Sequence, residues 1–262
     1  MLTATKLWSG MLSACLIFTG CSLMVDEPSN VSHRVAEIFA GAPERDLASA
    51  AARGDTRSME RSVKSGADIN ARGLLGITPA WWAIRNRNKA SYAWLLARGA
   101  RPDPQVDSIS ALEMAAGYED PEFLEIALRY KPDVNRINPM NYGTALVSAI
   151  RQRRPQNVQL LIKSGANMDQ DLGGDAPLWI AANLARYELV FDLLKAGAKP
   201  DLISANGKVT LSVVISGRYI DPESDQYVWR ERVITLLKAK GIWASRPLGE
   251  GDRKKPLPDD LK

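Results

Sequence analysis

Residues that commonly act as a general base, a thiol nucleophile or a zinc ligand are scarce in this sequence. It contains one histidine, His33, and two cysteines, Cys15 and Cys21. A Ser-His-Asp triad could use only His33, and a zinc site of Cys and His side chains needs about four ligands. Both cysteines lie in the first 21 residues, so a chain without that segment has no thiol. Most nucleophilic, redox and zinc chemistry is therefore excluded.

Two acidic segments resemble metal-binding sequences only in part. Residues 169–175 read Asp-x-Asp-x-Gly-Gly-Asp, like the start of a calcium loop. Such a loop needs a bidentate glutamate at its twelfth position, which here is Ile180. The acidic residues of 221–225 lie on an irregular, proline-containing segment, which favours a solvated loop. No cofactor or metal site is predicted, and neither common glycine-rich phosphate loop is present.

Composition and charge narrow the class of protein further. The chain has 262 residues, of which 45% are hydrophobic and 24% charged, an ordinary globular composition. This length allows one elongated domain or two compact ones. The net charge of +4 is spread along the chain, without a dense basic stretch of the kind that binds nucleic acid. We therefore expect no nucleic-acid partner.

The N-terminus has the pattern of a secretory signal. Met1–Lys6 carries one positive charge, and the mostly apolar run Leu7–Phe18 follows. This run is far shorter than the ~20 residues that span a bilayer as a helix. It ends in Phe18-Thr19-Gly20-Cys21, which resembles the lipobox of bacterial lipoproteins. Cys15 also ends such a box, but cleavage there would leave an apolar run of only about five residues.

The lipoprotein resemblance implies an anchor and a location. In that family the signal, here residues 1–20, is removed and the cysteine, here Cys21, is acylated, as by palmitate. Two or three acyl chains are enough for stable membrane anchoring. Ser22 stands where an aspartate would mark retention in the inner membrane. The resemblance therefore implies the periplasmic face of the outer membrane, with residues 21–30 as the lipidated cysteine and spacer.

The body of the chain is an internal repeat. One motif, Lys-Ser-Gly-Ala-Asp-Ile-Asn in its first copy, occurs at 64–70, 97–103, 130–135, 163–169 and 195–201. Its glycine positions are separated by 33, 32, 34 and 32 residues. A second motif, Gly-Ile-Thr-Pro-Ala in its first copy, follows in phase at 76–80, 108–112, 142–146, 174–178 and 207–211. A period of this length indicates stacked supersecondary units.

Each motif has a physical reason. The Thr78-Pro79 pair can cap and begin a helix, and small residues such as Ala83 let neighbouring helices approach closely. A second apolar helix ends in Leu95-Leu96, and Gly99 can then adopt the left-handed conformation that stops it. The pattern resembles the ankyrin repeat, a β-turn followed by two antiparallel helices. It implies an all-α solenoid over residues 44–242, with β-hairpin loops, about five repeats and an N-terminal capping repeat.

The ends of the solenoid are predicted separately. Terminal repeats need covers, and residues 31–43 have the apolar spacing of a capping helix. The last repeat is about eleven residues too long, and the surplus at 218–226 is predicted to be a loop between its two helices. Residues 243–262 are rich in proline and charge, which indicates a flexible tail.

The ankyrin resemblance also implies a binding surface, because these repeats bind through hairpin tips and the concave face of the first helices. The matching tips are Arg72, Leu74, Leu75, Ile77, Val106, Asp107, Ile109, Met140, Asn141, Leu172, Asp175 and Lys208. The matching positions on first helices are Arg85, Asn86, Tyr118, Arg151, Gln152, Asn183 and Leu184. Several tips are apolar, and exposed apolar clusters often mark interfaces.

Two features of this surface have alternative interpretations. Trp81 and Trp179 stand where ankyrin repeats usually have histidine, and they are either core residues or a half-exposed ledge that would be a binding hot spot. Arg151 falls on the binding face, whereas Arg153 and Arg154 lie in the inter-helix turn. These arginines form either a solvated turn or a site for an acidic partner.

The resemblances together predict a non-enzymatic protein-binding module, monomeric when unbound. A lipid-anchored periplasmic ankyrin protein resembles an immunity protein that neutralises a secreted antibacterial effector, such as a phospholipase. The alternative is an envelope or oxidative-stress scaffold that binds resident periplasmic proteins. A more remote alternative is a carboxylate-based hydrolase on a repeat scaffold.

Overall fold

The computed structural model describes residues 34–103, 109–138, 143–170, 172, 176–200, 211–217 and 219–243. These residues form six successive helix pairs, preceded by a helical turn at 34–38. The first three pairs are α1 Ala42–Arg53 and α2 Thr56–Lys64, α3 Pro79–Arg85 and α4 Lys89–Ala97, and α5 Ala111–Gly117 and α6 Glu122–Leu128. The last three are α7 Ala145–Arg151 and α8 Pro155–Lys163, α9 Pro177–Asn183 and α10 Tyr187–Ala196, and α11 Leu211–Ser216 and α12 Asp225–Ala239.

The predicted all-α fold is confirmed, with the repeat number close to that expected. The described residues contain no strand, and their one isolated β-bridge joins Asn138 to Gly143 in the loop before α7. In the described residues, turns therefore stand in place of the predicted β-hairpin loops. Before α3 the turn is a short 3₁₀ segment, Leu74–Gly76.

The second motif begins the first helices α3, α5, α7 and α9, as its residues predicted. The Thr78 hydroxyl accepts a hydrogen bond from the Trp81 N–H at 3.1 Å, and Thr144 caps α7 in the same way. Ser110 forms a capping box with Glu113, whose carboxylate accepts the Ser110 N–H at 2.9 Å. These bonds satisfy helix N–H groups that have no partner within the helix.

The helices stack in order. First helices contact the first helices of adjacent repeats from α1 to α11, and second helices do the same from α4 to α12. The small residues of the repeat make this possible, since Ala83, Ala115, Ala149 and Ala181 are all fully buried between neighbouring helices. One continuous apolar core therefore runs through the stack, as expected when each repeat buries its face on its neighbours.

A ladder of hydrogen bonds joins the loops of consecutive repeats. In each case the Asn or Asp that ends the first motif accepts a backbone N–H from the next repeat. The pairs are Asn70 with Arg101 at 2.8 Å, Asp103 with Asp133 at 3.1 Å, Asn135 with Asn167 at 2.7 Å, and Asp169 with Lys199 at 2.9 Å. The last position of the motif therefore fixes the spacing of the loops.

At the N-terminal end, Val35 and Phe39 are buried in the same core as α1. The predicted signal, both cysteines and His33 lie outside the described residues, as do residues 244–262. At the other end, the predicted loop 218–226 is shorter than expected, because α12 already begins at Asp225. No helix among the described residues is long and apolar enough to span a bilayer.

Candidate partner-binding surface

The predicted hairpin tips differ in their exposure. Arg72 is exposed, and the 3₁₀ turn leaves Leu74 56% exposed and Leu75 half-buried. Ile109 is half-buried. Ile77 and Leu172 are buried, so the prediction that they form accessible tips is wrong. The other predicted tips lie outside the described residues: Val106, Asp107, Met140, Asn141, Asp175 and Lys208.

Most of the predicted positions on first helices lie at an accessible surface, near the C-terminal ends of α3, α5, α7 and α9. We call this set the first-helix strip, which consists of Arg85, Tyr118, Arg151, Gln152, Asn183 and Leu184. Arg85 and Tyr118 are half-buried and the other four are exposed. Asn86 does not belong to it, because this side chain is buried and its Nδ2 donates to the Trp82 carbonyl at 2.9 Å.

The two tryptophans at the histidine position are core residues. Trp81 is 2% exposed and Trp179 is 1% exposed, so neither forms the accessible ledge that was one alternative. The reason lies in the stacking: α3 is flanked by α1, α4 and α5, which bury all its residues except Arg85. Trp81 also stacks on Trp82, with ring centroids 6.1 Å apart. Burial thus removes both tryptophans from the candidate surface.

Tyr118 is held firmly although it is only half-buried. Its hydroxyl donates to the Ile84 carbonyl of the preceding repeat at 3.1 Å, and its ring packs edge-on against Phe123 at 5.3 Å. Burial raises the pKa of Tyr118, while the charges of Arg87 and Arg85 and a hydrogen bond with Arg87 oppose that rise. The hydroxyl therefore stays protonated at neutral pH and forms a fixed polar point in the middle of the strip.

The acidic residues next to Tyr118 are paired with a lysine. Lys89 of α4 forms ion pairs with Asp120 and Glu122 of the following repeat. Its hydrogen bonds to these carboxylates raise the pKa of Lys89, and the same contact lowers the pKa of Asp120. One lysine is thus shared by two carboxylates, and this cluster keeps one net negative charge.

Asn157 of α8 positions the strip and was not found from the sequence. It is 1% exposed, and its Nδ2 donates to the carbonyls of Ala116 and Tyr118, both at 2.8 Å. These carbonyls lie at the C-terminal end of α5, where a helix leaves acceptors without partners. Gln156 and Gln159 lie in the same helix, so no local signal distinguished the amide of Asn157.

Replacing Asn157 by alanine should lower the free energy of unfolding by about 1–3 kcal/mol, because two buried carbonyls lose their donor. Urea unfolding followed by circular dichroism measures this change. Gln156→Ala is the matched control, since Gln156 is the exposed neighbour on the same helix. Equal unfolding midpoints for the two variants would contradict the role given to Asn157.

Among the described residues, no group of three or more His, Cys, Asp or Glu side chains is arranged to hold a metal ion. The part of the calcium-like segment that the structure describes belongs to the repeat loop, where Asp169 accepts the Lys199 N–H. The candidate surface therefore consists of the accessible side chains of stacked helices.

Comparison with known proteins identifies the class. The family described as ankyrin repeats, in three copies, matches residues 112–204. Protein PhlB of Serratia liquefaciens is 30% identical over 177 residues, which are 67% of this chain and 77% of that protein. The chain belongs to the ankyrin-repeat family.

Two further relatives match over small parts of their own length. Glycerophosphocholine phosphodiesterase GDE1 of Eremothecium gossypii is 29% identical over 134 residues, 50% of this chain but 10% of that protein. The mitochondrial disaggregase of Bos taurus is 32% identical over 154 residues, 57% of this chain and 22% of that protein. The chain therefore spans only a small part of each of these two proteins.

Solved structures support the fold. The ankyrin repeat domain of Bcl-3, a member of the IkappaB protein family, has a TM-score of 0.64 at 23% identity, covering 75% of this chain and 86% of that one. The ankyrin repeat domain of human ASB11 has a TM-score of 0.59 at 24% identity, covering 86% and 94%. The fold is one that commonly mediates protein–protein interaction.

Proposed function

We propose that this protein is a lipid-anchored immunity or inhibitor protein of the bacterial envelope. It binds a secreted antibacterial effector, such as a phospholipase, and blocks it by occlusion without catalysing a reaction. The observation that carries this proposal is the first-helix strip: side chains of different chemistry, accessible at equivalent positions of four consecutive repeats, on a fully packed core.

The rigidity of the strip favours specific and tight binding. Its backbone belongs to helix ends that are capped and stacked, so little conformational freedom is lost when a partner binds. Four repeats present enough length for an interface of ordinary size, about 800 Å² on each partner. The mixture of Arg, Tyr, Gln, Asn and Leu in the strip provides hydrogen bonds at its edge and apolar contact at Leu184, which is 40% exposed.

The anchor in this proposal comes from the sequence alone. The lipobox-like residues before Cys21 favour acylation of that cysteine and removal of residues 1–20. Ser22 favours the outer membrane, and residues 21–30 then act as a short spacer. An inhibitor held at the membrane would meet a lipid-degrading effector at its site of action.

Deleting the gene and challenging the cells with their parental or sister strain tests the proposal. We expect the deletion strain to be intoxicated and a wild-type copy to restore survival. A Cys21→Ser copy should fail to incorporate labelled palmitate and should protect poorly; labelling that persists through Cys15 would contradict the choice of Cys21. Full fitness of the deletion strain, with pull-downs that return only resident envelope proteins, would overturn immunity and favour the scaffold alternative.

A further inference from the structure

The turn between the first and second helices has the same backbone in four repeats. After α1 the chain reverses through Gly54, at φ 77°, with Gly54 N–H donating to Ala51 and Asp55 N–H to Ala50. The same pair of hydrogen bonds closes the turns after α3, α7 and α9. The residues equivalent to Gly54 are Arg87 at φ 56°, Arg153 at φ 55° and Ala185 at φ 52°.

Arginine is an unfavourable residue for this backbone. The left-handed region brings Cβ too close to the backbone of an L-residue, and glycine avoids this cost. Gly54 demonstrates that this chain can use glycine in the same turn. Arg87 and Arg153 hold the strained conformation instead, and residues in sparsely populated backbone regions concentrate at functional sites.

The two strained arginines are placed for contact with another molecule. Both side chains are exposed, Arg87 is also hydrogen-bonded to Tyr118, and neither forms an ion pair with a carboxylate in the part of the chain that the structure describes. Each follows an arginine of the first-helix strip by two positions, which gives the pairs Arg85/Arg87 and Arg151/Arg153. We call these four residues the arginine clamp.

The stacking of the repeats sets the distance between the two pairs. They lie at the ends of α3 and α7, and α5 is packed between these helices. Because packed helices are about 8–10 Å apart, the two pairs are about 20 Å apart. The turn between them contains Glu119 and Asp120, and Tyr118 lies at the same level. The positive charge is therefore divided into two separate points.

We propose that the arginine clamp binds an acidic protein surface that carries two clusters of carboxylates about 20 Å apart. Guanidinium groups form bidentate hydrogen bonds with carboxylates, so two arginines at each point suit an Asp/Glu cluster. A protein fits better than an anionic bilayer, because a uniform negative surface would also face the exposed Glu119 between the pairs. The inference that the partner is a protein rests on the proposed function. The charge of its two clusters and the distance between them are inferred from the arginines at the turns.

Two acidic peptides test this spacing with the acylated full chain in detergent. Each has two Asp-Glu-Asp clusters, joined in one peptide by six prolines, about 19 Å long, and in the other by two prolines, about 6 Å long. Fluorescence anisotropy measures their affinities. We expect the longer peptide to bind at least about 10-fold more tightly, because only it reaches both pairs at once.

The double variant Arg87→Gly with Arg153→Gly separates binding from folding. It should weaken binding of the longer peptide at least about 10-fold and reduce the preference for length, since one guanidinium is lost from each pair and one remains. The melting temperature should be equal or higher, because glycine adopts this backbone without strain and this gain offsets the lost hydrogen bond between Arg87 and Tyr118. Ala185→Gly is the matched control: it makes the same backbone change without loss of charge and should leave binding unchanged.

Several results would overturn the clamp. They are equal affinities for the two peptides, a double variant that binds as the wild type does, or a double variant with a lower melting temperature. Arginine-dependent binding of phosphatidylglycerol vesicles, without binding of either peptide, would assign the arginines to the membrane instead. A double variant that still protects cells refutes the clamp alone. A deletion strain that is never intoxicated, while the peptides bind as expected, refutes only the proposed function.

Discussion

Replacing Trp81 by alanine should lower the free energy of unfolding by about 3–5 kcal/mol. The indole is 2% exposed, stacks on Trp82 and lies between the helices of adjacent repeats. Its removal leaves a cavity that close-packed neighbours can fill only in part. Urea unfolding followed by circular dichroism measures the loss, and Trp179→Ala should have an effect of similar size at the other end of the strip.

Leu184→Ala is the control for these core substitutions. Leu184 is 40% exposed, so its truncation should change the stability by no more than about 0.5 kcal/mol. If Trp81→Ala instead unfolds at the wild-type urea concentration but no longer protects cells, Trp81 is a contact residue and the description of the core is wrong.

The local pattern was sufficient to predict the helix pairs. Thr78 and Pro79 begin a helix by capping and by a fixed φ, and Gly99 ends one because its φ of 93° suits glycine. These signals act within a few residues, so they can be read from the sequence. One repeat lacks the glycine signal. Lys131 takes φ 48° at the glycine position of that repeat, and α6 still ends before it.

The burial of the candidate site could not be predicted in the same way. Trp81 lies in a first helix and Leu184 directly follows one, and both are large apolar residues, yet one is buried and the other accessible. The difference depends on the neighbouring repeats, which lie more than 30 residues away in the chain. Asn157 illustrates the same limit, because the carbonyls it satisfies belong to residues 116 and 118 of the preceding repeat.

Arg151, Arg153 and Arg154 had two interpretations from the sequence, a solvated turn or a site for an acidic partner. The left-handed backbone of Arg153 was not among the expectations, because arginine gives no local signal for that conformation. The structure reveals it: the N–H groups of Arg153 and Arg154 form the same pattern of backbone hydrogen bonds as those of Gly54 and Asp55 in the first turn.

Removing two exposed side chains of the first-helix strip should remove most of the protection with little loss of stability. The double variant Gln152→Ala with Leu184→Ala changes exposed residues that directly follow α7 and α9. Because two of the six side chains of the strip are lost, binding should weaken by about 2 kcal/mol, which is roughly a 30-fold weaker complex. The thermal unfolding of this variant should stay close to that of the wild type.

A matched variant controls for the loss of one amide and one apolar side chain. Gln156→Ala with Ile242→Ala removes the same kinds of groups from exposed positions away from the strip. It should be as stable as the strip variant and should protect as the wild type does. Loss of protection in both variants would indicate a general effect on folding or export.

The most direct test of the claim that the first-helix strip binds the effector is a competition experiment. Attacker cells are mixed with deletion cells that carry one copy of the gene, either wild type or a variant, and the ratio of survivors is measured. We expect wild-type and Gln156→Ala/Ile242→Ala copies to protect equally, and the Gln152→Ala/Leu184→Ala copy to lose most of the protection at equal protein level. Equal survival with the strip variant and the wild type would contradict the claim that the first-helix strip binds the effector.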